Sequence, residues 1–208
     1  MSDYSLNDLL LQDSLVAIDR IVSTSGEPLE GNCLYRHHSD FKLHLANKEP
    51  LRRNLFELCR NAGSVLEIGF NAGHSCVLFL YANPGIEIVA LDLCEHAYTR
   101  GCAAALANFG NVVLIEGDSG RTVPKFNPGR YFDLILVDGG HSQTQSLIDI
   151  INCRKFADAK TLLIVDDANL GGIAKGIDYL VAHRVLKEVE YEHLGLEKTE
   201  HHRIFNFT

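Results

Sequence analysis

Leu11, Leu15, Ile18 and Val22 recur at four-three-four spacing, which puts them on one face of a helix predicted over residues 5–23. The rhythm then stops. Residues 24–47 carry Gly26, Pro28, Gly31 and the polar run Tyr35-Arg36-His37-His38-Ser39-Asp40, a pattern that predicts an irregular segment. A stretch of that length without elements of its own is a candidate lid or binding loop. A second helix is expected from about Pro50, a residue suited to a first helical turn, with Leu51, Leu55 and Leu58 along one side.

From Ser64 the pattern changes to short β-branched runs separated by helical lengths. Strands are predicted at 65–68, 86–91, 112–115, 132–137 and 161–165, and helices at 73–82, 96–108, 143–156 and 173–183. This alternation builds a parallel sheet with helices on both faces, an α/β fold. Residues 185–193 and 203–207 then read as two strands joined through Gly195 with no helix between them, hence a terminal antiparallel pair. The expected organisation is a helix plus cover over residues 1–47 and a main domain over 48–208, together one globular unit.

Composition narrows the partners. Among 208 residues, 19 Lys and Arg stand against 27 Asp and Glu, a net charge of −8 with no basic cluster. Such a chain repels polyphosphates, which argues against nucleic acid or an anionic membrane and favours a small ligand or a cation. Asp3 and Asp8 occupy positions where a secretory signal would carry Lys or Arg, so a cytoplasmic address is expected. The six cysteines include no C-x-x-C pair and several sit in apolar runs, which predicts buried thiols rather than disulfides or zinc ligands.

In open α/β sheets, ligands bind outside the carboxyl ends of the strands. Here those ends are acidic. The first, Glu67-Ile68-Gly69-Phe70-Asn71-Ala72-Gly73-His74-Ser75, joins a carboxylate to two glycines that allow a tight turn and close approach of a ligand. It is not G-x-G-x-x-G, because Glu67 stands at the first position. A carboxylate there repels a pyrophosphate and accepts from an ammonium group, favouring a zwitterionic ligand over a dinucleotide. Asp92 closes the second strand, suitably placed for both ribose hydroxyls, and Asp118 with Ser119 follows the third, suited to an exocyclic amine. Singly, each acid also fits a turn or a helix cap. Their recurrence at successive strand ends is what points to a site.

On these residues the sequence resembles the class I S-adenosylmethionine-dependent methyltransferases: E-x-G-x-x-x-G at Glu67, Gly69 and Gly73, then Asp92, then Gly117-Asp118. The likeness covers about residues 48–208 and implies a Rossmann-like seven-stranded sheet. It further implies that Glu67, Gly69, Phe70, Asn71, Ala72, Gly73 and Ser75 hold the methionine part of S-adenosylmethionine. Asp92 and Leu93 would take the ribose, Asp118 and Ser119 the adenine, and Asp138 would also border the cofactor.

The fourth and fifth strands end in Asp138-Gly139-Gly140-His141 and Asp166-Asp167-Ala168-Asn169. Three converging carboxylates make an oxygen site of the kind Mg²⁺ prefers, and burying them without a cation would raise their pKa values. The arrangement resembles the metal-dependent small-molecule O-methyltransferases, in particular the branch acting on macrolide and aminocoumarin sugars and its cephalosporin-modifying relatives. That likeness implies Asp138, Asp166 and Asp167 as ligands of Mg²⁺ or another divalent cation, with Asn169 reaching it through water. It also implies His141, third after Asp138, as general base. The expected reaction is methyl transfer to a hydroxyl of a small molecule that the cation orients and activates. Few aromatics, 8% with no Trp, favour a sugar-like hydroxyl over a planar phenol. A metal-independent N-methyltransferase and an inactive S-adenosylmethionine-binding protein stay open, as does a homodimer. A nicotinamide dehydrogenase fits neither Glu67 nor the Asp166-Asp167 pair. His37, His38, His44, His201 and His202 lack partners at metal-ligand spacing and are expected at the solvated surface.

Overall fold

Residues 4–5, 9–34 and 46–208 are described by a computed structural model; the run 35–40, with its candidate lid, and His37, His38 and His44 lie outside the described residues. Seven strands form one sheet: β1 (Ser64–Ile68), β2 (Glu87–Asp92), β3 (Asn111–Glu116), β4 (Leu134–Val137), β5 (Leu162–Val165), β6 (Leu186–Glu188) and β7 (Arg203–Phe207). Their order is β3-β2-β1-β4-β5-β7-β6, with β1 to β5 parallel and β7 antiparallel to both β5 and β6. The direction of winding reverses between β1 and β4, which opens a crevice at their carboxyl ends.

Every residue of β1 and β4 is buried, as expected of strands covered on both faces. One face carries α1 (Leu9–Ser25), α2 (Glu49–Cys59), α3 (His74–Ala82) and α4 (Thr99–Leu106), packed on Val65, Leu134 and Ile164. On the other face α6 (Gln143–Cys153) and α7 (Gly171–Ala182) pack on Leu66, Ile135 and Val165. The four apolar residues of the first helix, Leu11, Leu15, Ile18 and Val22, are fully buried among α3 and α4. At about 1.5–3 kcal/mol for each buried side chain, they make α1 part of the core rather than a detachable arm.

Three expectations change. The helix predicted from residue 96 begins only at Thr99, because Asp92 turns the chain by accepting from Cys94 N at 2.7 Å and Cys94 adopts a left-handed φ of 56°. An unanticipated single turn, α5 (Ser119–Thr122), follows β3. The terminal pair is not a plain hairpin: β6 stops at Glu188, α8 (Tyr191–Leu194) intervenes, and Gly195 closes it at φ +67°. Tyr191 draws the chain inward there by donating its hydroxyl to the carbonyl of His202. All six cysteines are free thiols and five are buried, as the sequence suggested. No helix among the described residues is long and apolar enough to cross a membrane.

Candidate active site

The loop after β1 depends on two glycines. Gly69 has φ +97°, and a Cβ there would lie 2.1 Å from the carbonyl oxygen of Asp138. Gly73, at φ +82°, would press a Cβ into the Phe70 ring and Leu106. Asp92 clamps the same loop: Oδ2 accepts from Phe70 N and Asn71 N, each at 2.8 Å. With Cys94 N on Oδ1, three of about four acceptor positions are taken. That leaves about one acceptor position of Asp92 facing a ligand.

These residues border a cavity of about 680 Å³ at the carboxyl ends of the strands. Of the residues singled out in the sequence, Gly69, Phe70, Asn71, Ser75, Asp92, Leu93, Asp118, Ser119, Asp138, His141, Asp166 and Asp167 line it. Glu67, Ala72 and Gly73 are buried behind the wall. Glu67 accepts from Ser75 Oγ, its Oε2 has no partner, and burial pushes its pKa up to about 8. A charged partner donating to Oε2 would restore its ionised form.

Two flanks were not legible beforehand. Glu30 to Cys33, within the irregular early segment, form part of the wall. Asn71 Nδ2 donates to Gly31 O at 3.3 Å, and His96 sits between Glu27 at 3.1 Å and Glu30 at 3.4 Å. Opposite, Asp118 caps α5 by accepting from Gly120 N at 2.9 Å, so the bland reading of this acid holds for one of its oxygens. Ser119 is tied to Gln145 of α6, whose Nε2 donates to its Oγ at 2.9 Å.

At the deep end, backbone bonds from Asp138 N to Ile68 O and from Asp166 N to Val137 O extend the parallel ladder past each strand. They bring Asp138 and Asp166 side by side. Burial, and then the neighbouring Asp166 charge, push the Asp138 carboxyl well above its ordinary range. Burial also opposes ionisation of Asp166, but the adjacent His202 imidazole, with the Asp167 backbone and Lys48, outweighs it and holds Asp166 below its ordinary range. Of the two, Asp138 therefore holds a proton more readily than Asp166. His202 Nε2 lies 3.1 Å from Asp166 Oδ1 without hydrogen-bond alignment.

Asp167, at a left-handed φ of 51°, turns toward His141, with Oδ2 3.3 Å from Nε2, and toward His201, with Oδ1 4.0 Å from Nδ1. The expectation that His201 and His202 belong to the solvated surface is thereby corrected. His202 is 3% exposed and lines the cavity. No spacing rule could find it, because its neighbour is set by β7 pairing with β5. Among the described residues, no three Asp, Glu, His or Cys side chains already close around one point as a metal cage.

Residues 66–168 match the family model for a methyltransferase domain, and they contain all these strand ends up to Asp167. Solved structures agree on the fold. The O-methyltransferase TomG from Streptomyces achromogenes, involved in tomaymycin synthesis and bound to S-adenosylmethionine, is 19% identical, with 96% of this chain and 88% of that one covered at a TM-score of 0.61. The Bacillus cereus O-methyltransferase bound to S-adenosylhomocysteine is 15% identical over 96% and 89%, at 0.63. The Podospora anserina methyltransferase PaMTH1, also bound to S-adenosylhomocysteine, is 14% identical over 100% and 99%, at 0.63. No curated protein matches the sequence. The chain is similar to a methyltransferase domain over residues 66–168 and shares its fold with these methyltransferases.

Proposed function

We propose that this protein transfers the methyl group of S-adenosylmethionine to a hydroxyl of a small molecule, assisted by Mg²⁺ or another divalent cation. The observation that carries this reading is the Asp138–Asp166 carboxylate pair in the cavity. Two acids held side by side and buried, with no aligned donor to Asp166 Oδ1 among the described residues, are chemically suited to a hard cation. Asp138, Asp166 and Asp167 would hold it, with Asn169 reaching it through water. When bound, the cation would supply Lewis acidity and a fixed point for the incoming hydroxyl.

The remaining steps belong to the chain's own groups. Gly69, Phe70, Asn71 and Ser75 line the place of the methionine part, with the Glu67 carboxylate set behind them to favour its ammonium, while Asp92 takes a ribose hydroxyl and Asp118 the adenine edge. His141 stands at the exposed mouth beside Asp167 and takes the hydroxyl proton. The acceptor oxygen attacks the methyl carbon in line, the C–O bond forms as the S–C bond breaks, and the sulfonium leaves as a neutral thioether. Glu30 to Cys33, which border the cavity, serve as part of a cover over the cofactor. The acidic balance favours a small-molecule acceptor in the cytoplasm over a nucleic acid or membrane partner.

The test is methyl transfer from labelled S-adenosylmethionine to panels of sugar, phenol and amine acceptors, with and without a chelator. Hydroxyl methylation abolished by chelation and restored by Mg²⁺ supports the proposal. Chelator-resistant amine methylation would establish the N-methyltransferase instead, and cofactor binding without transfer to any acceptor the inactive binder.

A further inference from the structure

Gln145, in the first turn of α6, lines the cavity near Asp118, and its side-chain amide is held in one orientation from behind. Nε2 donates inward twice, to Ser119 Oγ at 2.9 Å and to Asp149 Oδ1 at 3.0 Å. Asp149 is fully buried, and the nearby Ser119 hydroxyl favours its charged form. A carboxylate only accepts, so turning the amide over would set Oε1 of Gln145 against Asp149. Both amide hydrogens are therefore spent inside the protein, and Oε1 is the atom left to face the cavity.

The neighbouring surface has the same polarity. A Cβ at Gly120 would lie 3.2 Å from Asp118 Oδ1 and 3.7 Å from Gln145 Nε2, so these side chains flank a position that glycine leaves open. Ser119, which also lines the cavity, accepts from Gln145 Nε2.

We infer that Gln145, oriented by Asp149, is a specificity-determining residue that accepts a hydrogen bond from the exocyclic amine of the cofactor's adenine and so selects a 6-aminopurine over a 6-oxopurine. The inference deepens the cofactor assignment and rests on it. Replacing the amine by a carbonyl would oppose two acceptors, and sites that leave polar groups unpaired discriminate strongly.

The experiment is isothermal titration calorimetry of the full chain with S-adenosylhomocysteine and with S-inosylhomocysteine, which carries a carbonyl in place of the 6-amino group. The parent should prefer the adenosyl ligand by about tenfold or more. Gln145→Leu should erase most of that ratio by weakening the adenosyl ligand. Asp149→Asn, which can donate, should lower the ratio with Gln145 still present by letting the amide turn. Equal affinity of the parent for the two ligands overturns the inference without recourse to any variant. A ratio unchanged in folded Gln145→Leu overturns it too, while S-adenosylhomocysteine binding leaves the cofactor assignment standing. A parent that binds neither ligand overturns both.

Discussion

His202 Nε2 lies 3.1 Å from Asp166 Oδ1, although the two residues belong to loops at opposite ends of different connections. The contact exists because β7 enters the sheet antiparallel to β5, pairing Val165 with Arg203 and setting the residue before Arg203 beside the one after Val165. Thr199 Oγ1 and the Tyr191 hydroxyl fix the His202 backbone on either side, so the ring is placed by the fold rather than by its immediate sequence.

Removing that ring should expose the strain in the carboxylate pair. His202→Ala leaves the Asp166 charge next to Asp138 without its imidazole, at a cost of about 1–3 kcal/mol. Calorimetric melting should show a lower Tm, and Mg²⁺ should raise it more in the variant than in the parent, because a cation is the other available partner. An unchanged Tm would mean that the contact contributes nothing.

Glu67 gives a pH signature. Its pKa rises from the ordinary 4.5 to about 8 on folding, so between those values the folded state binds a proton that the unfolded state has released. Its contribution to stability is fully present below pH 4.5 and is lost as pH rises through 8, with a slope of up to about 1.4 kcal/mol per pH unit. Glu67→Gln should flatten this decline in urea titrations across pH 5–8. Binding of a ligand ammonium should in turn release a proton near pH 7, seen as a buffer-dependent enthalpy that Glu67→Gln abolishes.

Gly69 is predicted to be irreplaceable for two separable reasons, its φ of +97° and the 2.1 Å approach to Asp138 O. Gly69→Ala should cost about 2–5 kcal/mol by adding backbone strain to a clash with main chain. Gly31→Ala meets no atom of the described residues within 4 Å and should stay within about 0.5 kcal/mol of the parent. Equilibrium denaturation of the two variants side by side checks the contrast.

On the proposed mechanism, His141→Ala should lower kcat by about 10²–10⁴-fold and leave S-adenosylhomocysteine affinity nearly unchanged, since base catalysis acts in the transition state. Part of the loss should return as pH rises and hydroxide replaces the base. Full turnover by the variant across neutral pH would assign the deprotonation elsewhere.

The sequence by itself determined the elements and the acids at their ends. Apolar periodicity marked α1 through Leu11, Leu15, Ile18 and Val22, and the five parallel strands through their continuous β-branched runs, while the residues closing those strands gave the acids Glu67, Asp92, Asp118, Asp138 and Asp166. These signals are local, because burial on one face or both dictates side-chain type every two or every three to four residues. What each acid is bonded to was decided only by the tertiary structure. Asp92 spends about half of its acceptor capacity on the backbone of another loop, Asp118 caps a helix, Asp149 turns Gln145, and His202 reaches Asp166 from the start of β7. Strand order joins residues far apart in the chain, and it follows from how the whole set of apolar faces packs, so no spacing within one segment carries it.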